Sequence, residues 1–141
     1  MTLWLTRTGS RGEHAARFFA DARIYLTWSG FSDDLSAFDS QSALRERLAA
    51  VYPGSTRAKL LNWRSQIWAF SHEMEKGDWV VVPLKGQPYV AVAEILGDYE
   101  HDAKAEDPYY HSRRLKWIAK EVPRTAFDSD LLMSMGAFMT V

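Results

Sequence analysis

The chain has 141 residues, 47% of them apolar, which is room for one domain with a full core and too little for two. A formal net charge of −1 gives no global attraction for nucleic acid, so any such binding must come from a local patch. Zero cysteines exclude disulfides, thiolate metal sites and a cysteine nucleophile, and no apolar run approaches the ~20 residues of a membrane span. The N-terminus carries no charged-then-apolar signal pattern, and a cytoplasmic location is expected. Six tryptophans are more than an ordinary core of this size requires.

In chain order, Leu3 to Thr8 alternates as a first strand, Gly9-Ser10-Arg11-Gly12 is a turn, and a short helix runs from about Glu13 to Asp21 with Ala15, Phe18 and Phe19 inward. Arg23 to Trp28 is a second strand, followed by a turn-rich loop from Ser29 to Leu35. Ser40 has the form of an N-cap for a helix ending near Tyr52, with Leu44 and Leu48 on its face. Pro53-Gly54-Ser55 breaks that helix, and Ser55 is the expected cap of the next. There Leu60, Trp63, Ile67, Phe70 and Met74 recur at the spacing of one helical face, with Gly77 as the stop. Trp68 falls on a second face with Leu61 and His72.

Trp79 to Val82 is a continuous apolar run, read as a strand buried on both faces. A turn at Lys85-Gly86-Gln87-Pro88 leads into a strand from Tyr89 to Leu96. Gly97 to Pro108 is charged and aperiodic and reads as an exposed loop. His111 to Ile118 returns as a strand, Asp128 or Ser129 caps a short helix through Met135, and Ala137 to Val141 has strand character. Five or six strands interleave irregularly with three or four helices, without the rhythm of a doubly wound sheet. The expected fold is α+β, a small, partly closed mixed barrel flanked by helices, as one domain over residues 1–141.

Catalysis finds little support. His14, His72, His101 and His111 lack metal-ligand spacing, and no phosphate-binding glycine loop is present. Asp102-Ala-Lys104 mimics part of a nuclease carboxylate–lysine pair but lies in the charged loop, and Asp33-Asp34 reads as solvated or capping. The domain itself is expected not to be an enzyme, and no cofactor or metal is expected. Binding signals are better. Arg113, Arg114, Lys116, Lys120 and Arg124 are opposed locally only by Glu121, a positive strip that is either a charge-protected edge strand or a phosphate-binding surface. Trp28 ends a strand beside a glycine-containing loop, where a side chain lines a mouth, and Trp68 lies off the helix stripe. Trp4, Trp63 and Trp79 read as core, and Trp117, among the basic residues, is ambiguous.

The segments "LWLTRTG", "YLTWSGFSDDLSAF", "NWRSQIWAF", "EMEKGDWVVVPLKGQPYVAVAEILGDY", "HSRRLKW" and "VPRTAFDSDLLMSMGAFMTV", in this order, together resemble the N-terminal domain of Mrr-type modification-dependent restriction endonucleases. That domain is related to the EVE and YTH modules of the PUA-like superfamily. The resemblance covers essentially the whole chain and implies a PUA-like mixed barrel. It implies a reader that accepts a flipped, methylated DNA base in an aromatic pocket and serves as the specificity module of a restriction system. The expected partner is DNA carrying a modified base, with a nuclease domain elsewhere in a full-length protein and no membrane. The alternative is an RNA-binding PUA- or ASCH-like protein in RNA processing or regulation. Candidate pocket residues are Trp28, Trp68, Trp63, Asn62, Gln66 and Ser29, and candidate backbone contacts are Arg113, Arg114, Lys116, His111 and Arg11.

Overall fold

The apolar run from Trp79 to Val82 lies inside a sheet with both faces covered, as its composition requires. A computed structural model describes residues 2–126 of the chain. In order these form β1 (Leu3–Leu5), α1 (Ala15–Asp21), β2 (Arg23–Leu26), α2 (Gln41–Val51), α3 (Arg57–Trp68), β3 (Trp79–Pro83), β4 (Tyr89–Ile95), β5 (Glu100–His101) and β6 (His111–Pro123). The helix expected after Asp128 or Ser129 and the strand expected after Gly136 lie outside the described residues.

The strands run in the order β1-β3-β4-β6-β2, with β5 pairing to β6 beyond the end of β4. Only β1 and β3 are parallel among the described pairs. The longest strand, β6, ties the sheet together: His111 to Arg114 pair with β2, and Leu115 to Pro123 pair with β4. Register shifts near Val90 and Val92 mark bulges, which bend a strand and increase its twist. The result is an α+β fold, a curled six-stranded mixed sheet with three α-helices. Val80, Val82, Ala91 and Ala93 face the main core with Phe18, Ile67 and Phe70, whereas Leu5, Val81, Val90 and Val92 form a cluster on the other face.

The helices follow local chemistry closely. Ser40 Oγ accepts the Ala43 N–H and starts α2, which buries Leu44 and Leu48. The cap of α3 is Thr56, one residue later than expected, because its Oγ1 reaches the Lys59 N–H. α3 then widens into a π turn, Ala69–Glu73. Ile67, Phe70 and Met74 are buried as the stripe predicts, while Leu60 and Trp63 are half-buried. Gly77 does not stop the helix directly. With φ +91° it shapes the later Glu75–Asp78 turn, and its N–H donates to Ile95. The loop after Gly97 is only partly exposed, since it contains β5 and the half-buried Tyr99.

Asp78 locks the junction between that turn and the sheet. Its buried carboxylate accepts from the Thr2 N–H at 3.0 Å, the Trp4 indole Nε1–H at 2.9 Å and the Glu75 N–H at 3.0 Å. Burial pushes this carboxyl up, but the three donors outweigh it and hold the group below the usual carboxylate range. Asp78→Ala orphans the buried Trp4 indole and is expected to cost about 3 kcal/mol in a denaturant melt, with Asp78→Asn costing less because it retains an acceptor. Equal midpoints for parent and Asp78→Ala would contradict this role.

Candidate nucleic-acid interface

Trp28 follows the end of β2 and packs half-buried on the main core. The chain beyond it is held from two sides. On one side the Asp107 carboxylate accepts from the Gly30 N–H and from Ser29 Oγ, each at 2.7 Å. Those two bonds, with Tyr110 adding a third, hold the Asp107 carboxyl below its ordinary range. On the other side the Tyr52 hydroxyl, at the C-cap of α2, donates to the Ser29 carbonyl at 2.6 Å. Burial, reinforced by Asp107, pushes the Tyr52 phenol up to about 12, so it stays a donor at neutral pH. Trp63 of α3 meets Tyr52 edge-on at 5.5 Å between ring centres. Trp28, Ser29, Tyr52 and Trp63 are thereby gathered into one region.

Beneath this loop sits His111, fully buried. Its Nε2 lies 2.6 Å from the Phe31 carbonyl, which can only accept, so Nε2 carries the proton. Nδ1 is therefore the acceptor, and the Tyr99 hydroxyl donates to it at 2.6 Å while accepting the Leu35 N–H at 3.1 Å. Desolvation pushes the imidazole down to about 4, consistent with a neutral ring. Phe31 in turn donates its N–H to the Trp28 carbonyl at 3.3 Å and stacks on Tyr52 at 6.4 Å.

This placement corrects two expectations for the basic strip. His111 is an internal strut. Arg113 is also buried, its guanidinium donating to the carbonyls of Phe70 at 2.8 Å, Gly97 at 3.2 Å and Ser71 at 3.3 Å. The reason is strand alternation, which turns Arg113 inward with Leu115 while Arg114 and Lys116 stay exposed. Of those two, Arg114 lies 3.5 Å from Glu100, which also pairs with Arg23 at 2.9 Å, and Lys116 stands opposite Glu94 across the strands.

The remaining sequence candidates scatter. Trp68 stacks face to face on His72 at 3.7 Å, and His72 reaches the Phe38 carbonyl at 3.1 Å. Gln66 Nε2 donates to Asn62 Oδ1 at 2.9 Å, so the two amides partly satisfy each other. Arg11 is exposed, its N–H donating to Glu13 at 2.8 Å. Trp4 is core as expected; Trp79 is half-buried on the second cluster, and Trp117 packs on Phe19 at 4.5 Å. Asp102 accepts the Lys104 N–H and closes its own turn, Asp33 pairs with Arg47 at 2.8 Å, and Asp34 caps the turn at Leu35–Ala37. Among the described residues no group of three or more His, Cys, Asp or Glu could hold a metal ion, and no helix is long and apolar enough to cross a membrane. Sequence reasoning missed Tyr52 and Asp107.

A family model described as "Domain of unknown function (DUF8426)" matches residues 3–138. The chain belongs to the DUF8426 family. No curated protein matches it. Among solved structures, this DUF8426 chain is similar to the YTH domain of Zygosaccharomyces rouxii MRB1 protein in complex with N6-methyladenosine RNA, at 14% identity and a TM-score of 0.43. That match covers 90% of this chain and 62% of the other, so the DUF8426 chain spans less than two thirds of its length.

The neutral His111 gives the DUF8426 domain a pH signature. The ring binds a proton more readily unfolded, near 6.5, than folded, near 4. Its contribution is therefore complete above pH 6.5 and is lost as the pH falls toward 4. Denaturant melts at pH 7 and pH 5 should differ by about 2 kcal/mol from this group, and His111→Gln should flatten that difference. A parent equally stable at both values would contradict a neutral buried ring.

Proposed function

We propose that this DUF8426 domain is a reader of modified nucleic acid that accepts a methylated DNA base, flipped out of its duplex, against the aromatic rim of Trp28, Tyr52 and Trp63. The observation that carries this reading is the clamped loop: Trp28 sits half-buried at a strand end, and the next two residues are fixed by Tyr52 and Asp107. A rigid indole offers a flat apolar face suited to a base, and the neighbouring peptide supplies polar groups beside it. A methyl group adds little polar information, so discrimination rests on apolar fit, worth ~1–3 kcal/mol per methylene-sized group.

The hydrogen-bonded amides of Asn62 and Gln66, near Trp63 in sequence, keep free donor and acceptor capacity to read a base edge. Extruding a base costs a few kcal/mol. The exposed cations Arg114, Lys116 and Arg11 offset part of that through phosphates. Trp68 stands outside the rim, covered on one face by His72. Service as the specificity module of a restriction system, with a nuclease domain as partner, rests on the resemblance of six ordered segments to Mrr-type enzymes.

The test compares three substrates: a duplex with N6-methyladenine, the same duplex unmodified, and an RNA with N6-methyladenosine. Trp28→Ala should cost about 2 kcal/mol in the melt, as loss of a half-buried indole does, leave the domain folded, cost ~1–3 kcal/mol of binding to methylated DNA and lower the modified-to-unmodified ratio. Trp63→Ala, half-buried like Trp28 and packed edge-on against Tyr52, should cost about 3 kcal/mol of stability and weaken binding both through that loss and through its place in the rim. Full discrimination by Trp28→Ala would remove the rim from the interface, and preference of the parent for the RNA would transfer the reading to RNA.

A further inference from the structure

A second, separate cationic site lies where the N-terminal loop meets the β3–β4 turn. Arg7, Lys85 and Arg124 line one cleft of about 360 Å³ together with Gly9, Ser10 and Gly86. Among the described residues none of these three cations has a carboxylate within salt-bridge distance, in contrast to Arg17, Arg23, Arg47, Lys76 and Arg114. Like charges brought to one cleft repel, and the arrangement becomes favourable when an anion occupies the space between them.

The cleft is built by close backbone approach. Gly12, at φ +72°, lies so near the β3–β4 turn that a Cβ there would meet Lys85 Cβ at 2.8 Å. Gly9, at φ +94°, leaves room for Glu13, whose carboxylate folds back over the loop and accepts the Arg11 N–H at 2.8 Å. Arg124 is held at the third wall, its N–H donating to the Pro88 carbonyl at 3.0 Å. A side chain at Gly12 would press the loop away from the β3–β4 turn, and one at Gly9 would be strained by its φ and displace the Glu13 carboxylate.

We propose that this cleft binds a phosphate group of the nucleic-acid backbone, outside the base-reading rim. The identity of the phosphate as a nucleic-acid one rests on the reader function proposed above. Contacts run from beside the cleft toward the Trp28 loop: His14, two residues past Gly12, hydrogen-bonds through Nδ1 to the Tyr109 hydroxyl at 2.8 Å, and Tyr109 lies two residues from Asp107, which fixes the Trp28 loop.

Two measurements test this. The first titrates inorganic phosphate into the parent and into Lys85→Gln and Arg7→Gln while following the backbone amides of Gly9, Ser10 and Gly86 by NMR. Saturable shifts at these amides, lost in the variants, are expected; absence of shifts in the parent, or equal shifts in the variants, overturns the site. The second measures salt-dependent binding of duplex DNA with and without N6-methyladenine. Each of Arg7→Gln, Lys85→Gln and Arg124→Gln should weaken both duplexes alike and reduce the salt slope by about one unit, leaving the methylated-to-unmethylated ratio unchanged. If the variants bind both duplexes like the parent while Trp28→Ala loses discrimination, the cleft is not a backbone site and the base-reading function stands. If the parent binds neither duplex nor the N6-methyladenosine RNA, the base-reading function fails, the nucleic-acid assignment of the cleft fails with it, and the phosphate titration alone decides whether it is an anion site.

Discussion

The rest of the architecture depends on one buried imidazole. His111 opens β6, the strand that joins the two halves of the sheet, and it hydrogen-bonds both the loop that follows Trp28 and the Tyr99 hydroxyl between β4 and β5. Each of these bonds contributes only about 1 kcal/mol net, and burying the ring costs it the ability to take a proton near neutral pH. What the network supplies is position. The Phe31 carbonyl, the imidazole, the phenol and the Leu35 N–H have only one arrangement of protons that satisfies all four. A loop that would otherwise wander is held where Tyr52 and Asp107 can clamp its tip.

Arg113 performs a comparable service for the helix. The π turn at the end of α3 leaves carbonyls without partners in the last turn, where the helix dipole is negative. The buried guanidinium takes up Phe70 and Ser71 there and reaches across to Gly97 after β4. A cation without a carboxylate beside it is tolerable inside because three carbonyls and the helix terminus face it. β6 is thus two-sided in function as well as in pleat, with struts on its inner face and exposed cations on its outer one.

Much of the fold was legible because its signals are local. The Ser40 cap, the Leu44/Leu48 face, the Trp79–Val82 run and the Lys85–Pro88 turn all depend on residues within a few positions of each other. The strip is only half exposed because strand alternation overrides linear charge density: Arg113, Leu115 and Trp117 lie two apart, an inward-facing pattern. Asp107 was unreadable for a different reason. In a run of acidic residues nothing local marks the one whose partners, Ser29 and Gly30, lie 78 and 77 positions away. Trp68 and His72 were correctly placed on one helical face, but their spacing of four predicts a shared face without saying that the rings would stack on each other.

The proposed function rests on the difference between clamped and free groups. The Trp28 tip is rigid at its peptides and half-buried at its ring, the state in which an indole gains most from a stacked base and loses least in ordering. The most direct measurement is a structure of the domain with a short duplex bearing one N6-methyladenine. The methylated base should be out of the helix and stacked on Trp28, with Tyr52 and Trp63 beside it. A base that remains stacked within the duplex, or one seated away from Trp28, would contradict the central claim.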